Sequence, residues 1–100
     1  MNKTLTSLCL CRRAGKLVLG FDAVCKELSK KGFCAVVLAA DVSEKTEKEI
    51  RFSADKFGRK VLKADFTMDE AHKALGKRAG VFLINDEGLF GATAKHISEE

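Results

Sequence analysis

Three cations lead into a short apolar run and a glycine in Arg12-Arg13-Ala14-Gly15-Lys16-Leu17-Val18-Leu19-Gly20-Phe21-Asp22. Where a strand feeds a helix at such a glycine, the helix start presents amides with no partner and a partial positive charge, a setting for phosphate. Gly20 has no Cβ, so a sugar-phosphate backbone can come close. Lys26 falls one helical turn beyond Asp22 and can add a phosphate contact. Asp22 can only accept hydrogen bonds, which suits a base amino group, and an acid also suits the helix dipole. An ordinary strand-to-helix turn accounts for the same residues, and the local pattern alone does not separate the two readings.

The segment Gly76-Lys77-Arg78-Ala79-Gly80 is a second candidate, with glycine at both ends and two cations between them. Taken alone it is a solvated connection. Beside Gly20 in space, it would complete a basic cleft.

Other chemistries find little support. The four cysteines, Cys9, Cys11, Cys25 and Cys34, lie among apolar neighbours without a metal-ligand or disulfide-scaffold spacing, and read as reduced core thiols. His72 and His96 stand in no nucleophile or metal pattern. Asp41 and Asp86 follow apolar runs, where catalytic acids can sit, but helix caps sit there more often. No P-loop or dinucleotide glycine pattern occurs. We expect no catalytic residue, no cofactor and no metal.

The elements that must position these residues alternate. A helix is expected over residues 3 to 13, with Leu5, Leu8, Cys9 and Arg12 at helical spacing, and Leu17 to Leu19 form a short strand. Phe21, Val24, Cys25 and Leu28 make one stripe of a second helix, which Gly32 stops. Ala35 to Ala39 reads as a central strand buried on both faces. Ser43 caps a helix from about residue 44 to 57, with Ile50, Ala54 and Phe57 inward. Lys60 to Ala64 form a strand. Thr67 and Glu70 make a capping box for a helix with Met68, Ala71 and Leu75 inward. Val81 to Ile84 form the last strand, and Asn85-Asp86 cap a final helix bearing Leu89, Phe90, Ala94 and Ile97. This alternation implies an α/β fold, a three-layer α/β/α sandwich. At 100 residues, one domain over residues 1–100 is expected.

Hydrophobic residues make up 46% and charged residues 32%, which argues against disorder. No apolar run spans a bilayer and no secretory leader is evident, so the expected location is the cytoplasm, with no membrane partner. The net charge is +4, and residues 1–33 alone carry +5. That asymmetry would steer a polyanion to one directed face, although charge alone favours the plainer reading of solubilising charges on helix faces.

Leu8-Cys9-Leu10-Cys11-Arg12-Arg13-Ala14-Gly15-Lys16, Leu19 to Asp22 with Lys26, Val36 to Thr46, Leu75-Gly76-Lys77 and Asn85 to Leu89 occur in an order and spacing that resemble a known family. The chain is similar, over nearly its whole length, to the YlxQ-like bacterial members of the kink-turn-binding ribosomal protein superfamily. The resemblance implies a four-stranded mixed sheet and no catalysis. It also implies binding of a sharply bent RNA at tandem sheared G·A pairs. Carried over by position, Gly20, Asp22 and Lys26 enter the bent groove. Lys77, Arg78 and Ala79 cover an extruded base, and Asp41, Val42 and Ser43 flank the cleft. The chain departs from the RNA-binding archetype at Asp22, where Asn stands, and at Ala23, where Glu stands. Its fourth helix has Ala71-His72 where Leu-Gly is frequent.

The expected function is therefore a small, monomeric RNA-binding protein acting with ribosomal or other structured RNA. Arg12, Arg13, Lys16 and Phe21 join the carried-over positions as candidate contacts. A protein–protein module that has lost RNA is the rival, favoured by Asp22 and Ala23. A small enzyme using Asp41 and Asp86 would need both to converge with His72.

Overall fold

The computed structural model describes residues 2–97; Met1 and residues 98–100 of the expected domain lie outside it. The elements are α1 (Lys3–Arg13), β1 (Leu17–Leu19), α2 (Phe21–Leu28), β2 (Ala35–Leu38), α3 (Glu44–Lys56), β3 (Val61–Lys63), α4 (Met68–Leu75), β4 (Val81–Ile84) and α5 (Glu87–Ala94). The strands form one mixed sheet in the order β1-β4-β2-β3. β4 runs antiparallel to both of its neighbours and β2 runs parallel to β3, so β1, β2 and β3 all point the same way.

Side chains alternate across a pleated strand, and the two faces carry separate cores. Val37, Phe82 and Ile84 meet Leu8, Phe66 and Phe90 on one side. Val36, Leu38 and Leu83 meet Val24, Leu28 and Ile50 on the other. Helices α1, α4 and α5 thus cover one face and α2 and α3 the other, the expected α/β/α sandwich. β2 and β4 are buried throughout because they are inner strands under both layers. β1 and β3 are three-residue edge strands and only partly buried. Lys63 leaves a charge on the β3 edge, which discourages further pairing.

The expected caps are present. Ser43 Oγ accepts from Thr46 N at 3.1 Å. Thr67 N donates to Glu70 Oε1 at 2.8 Å while Glu70 N donates to Thr67 Oγ1 at 3.1 Å, closing the capping box. Asp86 alone caps α5, accepting from Leu89 N at 2.9 Å. Ile97 lies beyond that helix and is buried all the same.

Two buried stripes differ from expectation. On α1 the inward residues are Thr4, Leu5, Ser7, Leu8 and Cys11, while Cys9 is half-buried and Arg12 exposed. The helix is rotated toward its polar residues because these find partners on α5. Ser7 Oγ lies 2.6 Å from Thr93 Oγ1, and the Thr93 hydroxyl donates to Leu89 O at 2.9 Å, so Ser7 is the donor of the pair. Phe57, expected inside, is 46% exposed because α3 ends at Lys56 and the chain turns away through Gly58.

Candidate nucleic-acid interface

The C-terminal ends of β1, β2 and β3 and the start of β4 share one edge of the sheet. Gly20 N donates to Val81 O at 2.9 Å, and Ala39 N donates to Gly80 O at 2.9 Å. Those two bonds bring Gly20, the loop over residues 76–80 and the turn over residues 39–43 to the same edge. Gly20 and the Lys77-Arg78 loop are therefore neighbours at one end of the sheet.

Gly20 has φ 98° and ψ 150°, a conformation that is almost exclusive to glycine. It starts α2 without a side chain to cap it. Helices α1, α3, α4 and α5 are capped by Asn2, Ser43, Thr67 and Asp86, so among the described residues α2 alone presents a side-chain-free start. Its first intrahelical bond runs from Val24 N to Gly20 O at 3.0 Å, so the amides of residues 21–23 precede the helical hydrogen-bond ladder. Asp22 and Lys26 are exposed, one turn apart, while Phe21 is half-buried against the α2–α3 core.

Lys77 and Arg78 are exposed in the loop above this edge. Arg78 pairs with Asp69, an ion pair in water that a phosphate can replace at little cost. Arg12 Nη1 donates to Leu75 O at the base of the same loop. Gly80 permits close packing, since a Cβ there would meet Met68 Sδ at 3.2 Å. In the sequence Gly80 is only a loop end, because nothing local announces Met68 as its neighbour.

Other expected contacts are placed differently. Ala79, expected to cover an extruded base, is instead buried in the α1–α4–α5 core. Asp41 Oδ1 accepts from Met68 N at 2.9 Å and thus braces the start of α4. Val42 packs into the α2–α3 core and Ser43 caps α3. Lys16 precedes β1, at the opposite end of the strand from Gly20, about 13 Å away at strand rise. Arg13 is exposed in the last turn of α1, before that same far end.

Asp41 and Asp86 follow the C-terminal ends of two antiparallel strands and so lie at opposite ends of the sheet. They do not converge with each other. Among the described residues no group of three His, Cys, Asp or Glu side chains could hold a metal ion. The cysteines are free, and burial raises the pKa of Cys11, Cys25 and Cys34; Asp22 and Glu49 add to this at Cys25, whereas the Thr93 hydrogen bond at Cys11 and the Arg59 charge at Cys34 oppose it. Among the described residues no helix is long and apolar enough to cross a membrane.

Residues 3–84 match the ribosomal protein L7Ae/L30e/S12e/Gadd45 family. The chain belongs to this family. A protein of unknown function from Bacillus halodurans superposes with a TM-score of 0.86 at 25% identity, covering 99% of this chain and all of that one. A Giardia lamblia 15.5 kD RNA-binding protein superposes with a TM-score of 0.72 at 14% identity, over 94% of this chain and 81% of that one. No curated protein matches the chain. Membership of the L7Ae family, the kink-turn-binding superfamily, agrees with the resemblance seen in the sequence.

Proposed function

We propose that this L7Ae-family chain is a non-catalytic RNA-binding protein that holds a structured, kink-turn-like RNA at the sheet edge around Gly20. The observation that carries the reading is the uncapped start of α2, bonded through Gly20 to Val81 beneath the Lys77-Arg78 loop. The amides at the start of α2 and Lys26 meet phosphate, Asp22 accepts from a base amino group, and the loop closes over the RNA. Family membership supports an RNA partner, and the Giardia RNA-binding protein shares the fold. A ribosomal or translational setting, the cytoplasm and a monomeric state complete the reading.

The test is titration of kink-turn RNA and straight duplex against wild type, Lys26→Ala and Lys77→Ala. Each substitution should weaken kink-turn binding about 5–10-fold and lower the salt slope by about 1, as expected for loss of one phosphate contact. Unchanged affinity in both variants removes this site. The exposed carboxylate of Asp22 in the middle of the edge favours one rival, a protein-binding module. Salt-insensitive capture of a protein together with no retained RNA would decide for it.

A further inference from the structure

The basic first third of the chain does not collect at Gly20. Lys16 lies before β1, and Lys30 and Lys31 lie between α2 and β2, at the end of the sheet opposite Gly20. There Lys16, Lys30, Lys31, Phe33 and Asn85 line one groove. The groove continues past Phe33 and Cys34 to Arg59 and Lys60. Three connections, those entering β1, β2 and β3, therefore bring cations to one surface.

This surface is braced. Arg59 Nε donates to Leu28 O at 3.0 Å, its Nη1 donates to Gly32 O at 2.7 Å, and its Nη2 donates to Lys30 O. The guanidinium thus fixes the backbone that carries Lys30 and Lys31. The Phe33 ring packs against Phe90, with centroids 5.8 Å apart, and remains 37% exposed toward the groove. Asn85 lies on the same surface, and its buried Oδ1 has no hydrogen-bond partner.

Positive charge is in excess. The carboxylates at the groove are Glu27 and Glu87, and Glu27 is bound to Lys30 at 2.8 Å. Lys16, Lys31 and Lys60 are exposed and take part in none of the described salt bridges. An open surface with spaced, unpaired lysines and one half-exposed ring complements a phosphate backbone better than it does a protein's apolar anchor.

We propose that this groove grips the sugar-phosphate backbone of a second RNA segment, so that the protein bridges two RNA segments at opposite ends of its sheet. The proposal rests on the reading that the first edge binds RNA. The two faces lie at opposite ends of strands within a body of 33 × 28 × 28 Å, so two separate helical segments can be engaged without sharing phosphates.

The test uses donor-labelled kink-turn RNA with short arms and acceptor-labelled straight RNA duplex. Wild type should bring the two together and give energy transfer. The triple variant Lys16→Ala/Lys31→Ala/Lys60→Ala should abolish the transfer and lower the salt slope for duplex binding by about 2.7, at ~0.9 per lost phosphate contact. Its affinity for the short kink-turn RNA should stay within about twofold of wild type, because positioning at that site uses other residues. Unchanged energy transfer and duplex affinity in the triple variant would overturn the second face while leaving the first intact. Loss in the triple variant but none in Lys26→Ala/Lys77→Ala would remove the first face and keep the second. Retention of an acidic peptide in place of duplex would overturn the RNA assignment of the groove.

Discussion

The amide of Gly20 donates to the carbonyl of Val81 at 2.9 Å. These residues are far apart in the chain, yet the bond extends the β1–β4 pairing by one step and brings the start of α2 under the Lys77-Arg78 loop. Gly20 makes it at a φ of 98°, a conformation that residues with a side chain rarely adopt. Gly20→Ala should therefore destabilise the protein by about 1–3 kcal/mol through backbone strain. A Cβ at this position meets no atom within 4 Å in the free protein, so any further loss of RNA affinity reports the space that the ligand needs. Chemical denaturation and RNA titration of the same preparation separate the two effects.

Arg59 is a structural cation. Its bonds to Leu28 O and Gly32 O tie the end of α2 to the approach into β3. Arg59→Lys keeps the charge and loses the fork, and should cost about 1.5–3 kcal/mol in urea denaturation. Stability within experimental error of wild type would show that the clamp carries no net energy.

The Ser7–Thr93 pair is buried between α1 and α5. Thr93→Val keeps the shape but leaves the Ser7 hydroxyl without its partner, at a cost of about 1–3 kcal/mol. Adding Ser7→Ala should recover part of that loss, because no unpaired hydroxyl then remains. A double variant as unstable as the sum of the two single ones would contradict the coupling.

Glu47 accepts from Lys63 Nζ at 2.9 Å and from Arg51 Nε at 2.9 Å, and these bonds hold its carboxyl below the usual glutamate range. A lowered carboxyl stabilises the fold above its unfolded pKa, and that stabilisation is lost as pH falls through the folded value. The partners are well exposed, so the contribution is at most about 1 kcal/mol. Glu47→Gln should match wild type at acid pH and fall slightly below it at neutral pH. A difference of equal size at both would rule out this linkage.

Burial raises the pKa of Cys11 and Cys34 and keeps them as thiols at neutral pH. Both should react slowly with a disulfide reagent in the folded protein and rapidly in urea. Fast labelling of Cys11 without denaturant would mean that α1 opens locally from the sheet.

The order of helices and strands was legible from local signals. The run Ala35 to Leu38 has no polar residue, and the structure buries all of it. Thr67 and Glu70 announced a capping box that forms with both bonds. The phase of α1 was not legible, because Thr4 and Ser7 look like surface residues until Thr93 and His96 supply partners from the far end of the chain. The exposure of Phe57 is hidden for a similar reason: a helical stripe continues in the sequence past the residue where the helix stops. At the candidate edge, Gly20, Asp22, Lys26, Lys77 and Arg78 stand out by residue type and spacing alone. The buried placement of Ala79 and the bracing role of Asp41 depend on packing that spacing does not encode.

Periodicity, caps and glycine stops determined the succession of elements, since each rests on interactions within a few residues. The same local reading located a basic strand–glycine–helix turn and summed the first third of the chain to +5. Only the tertiary structure decided where those charges go. The parallel strands send Gly20 to one end of the sheet and return Lys16, Lys30 and Lys31 to the other. One basic stretch thus becomes two faces, because a strand's two ends are neighbours in sequence and opposites in space.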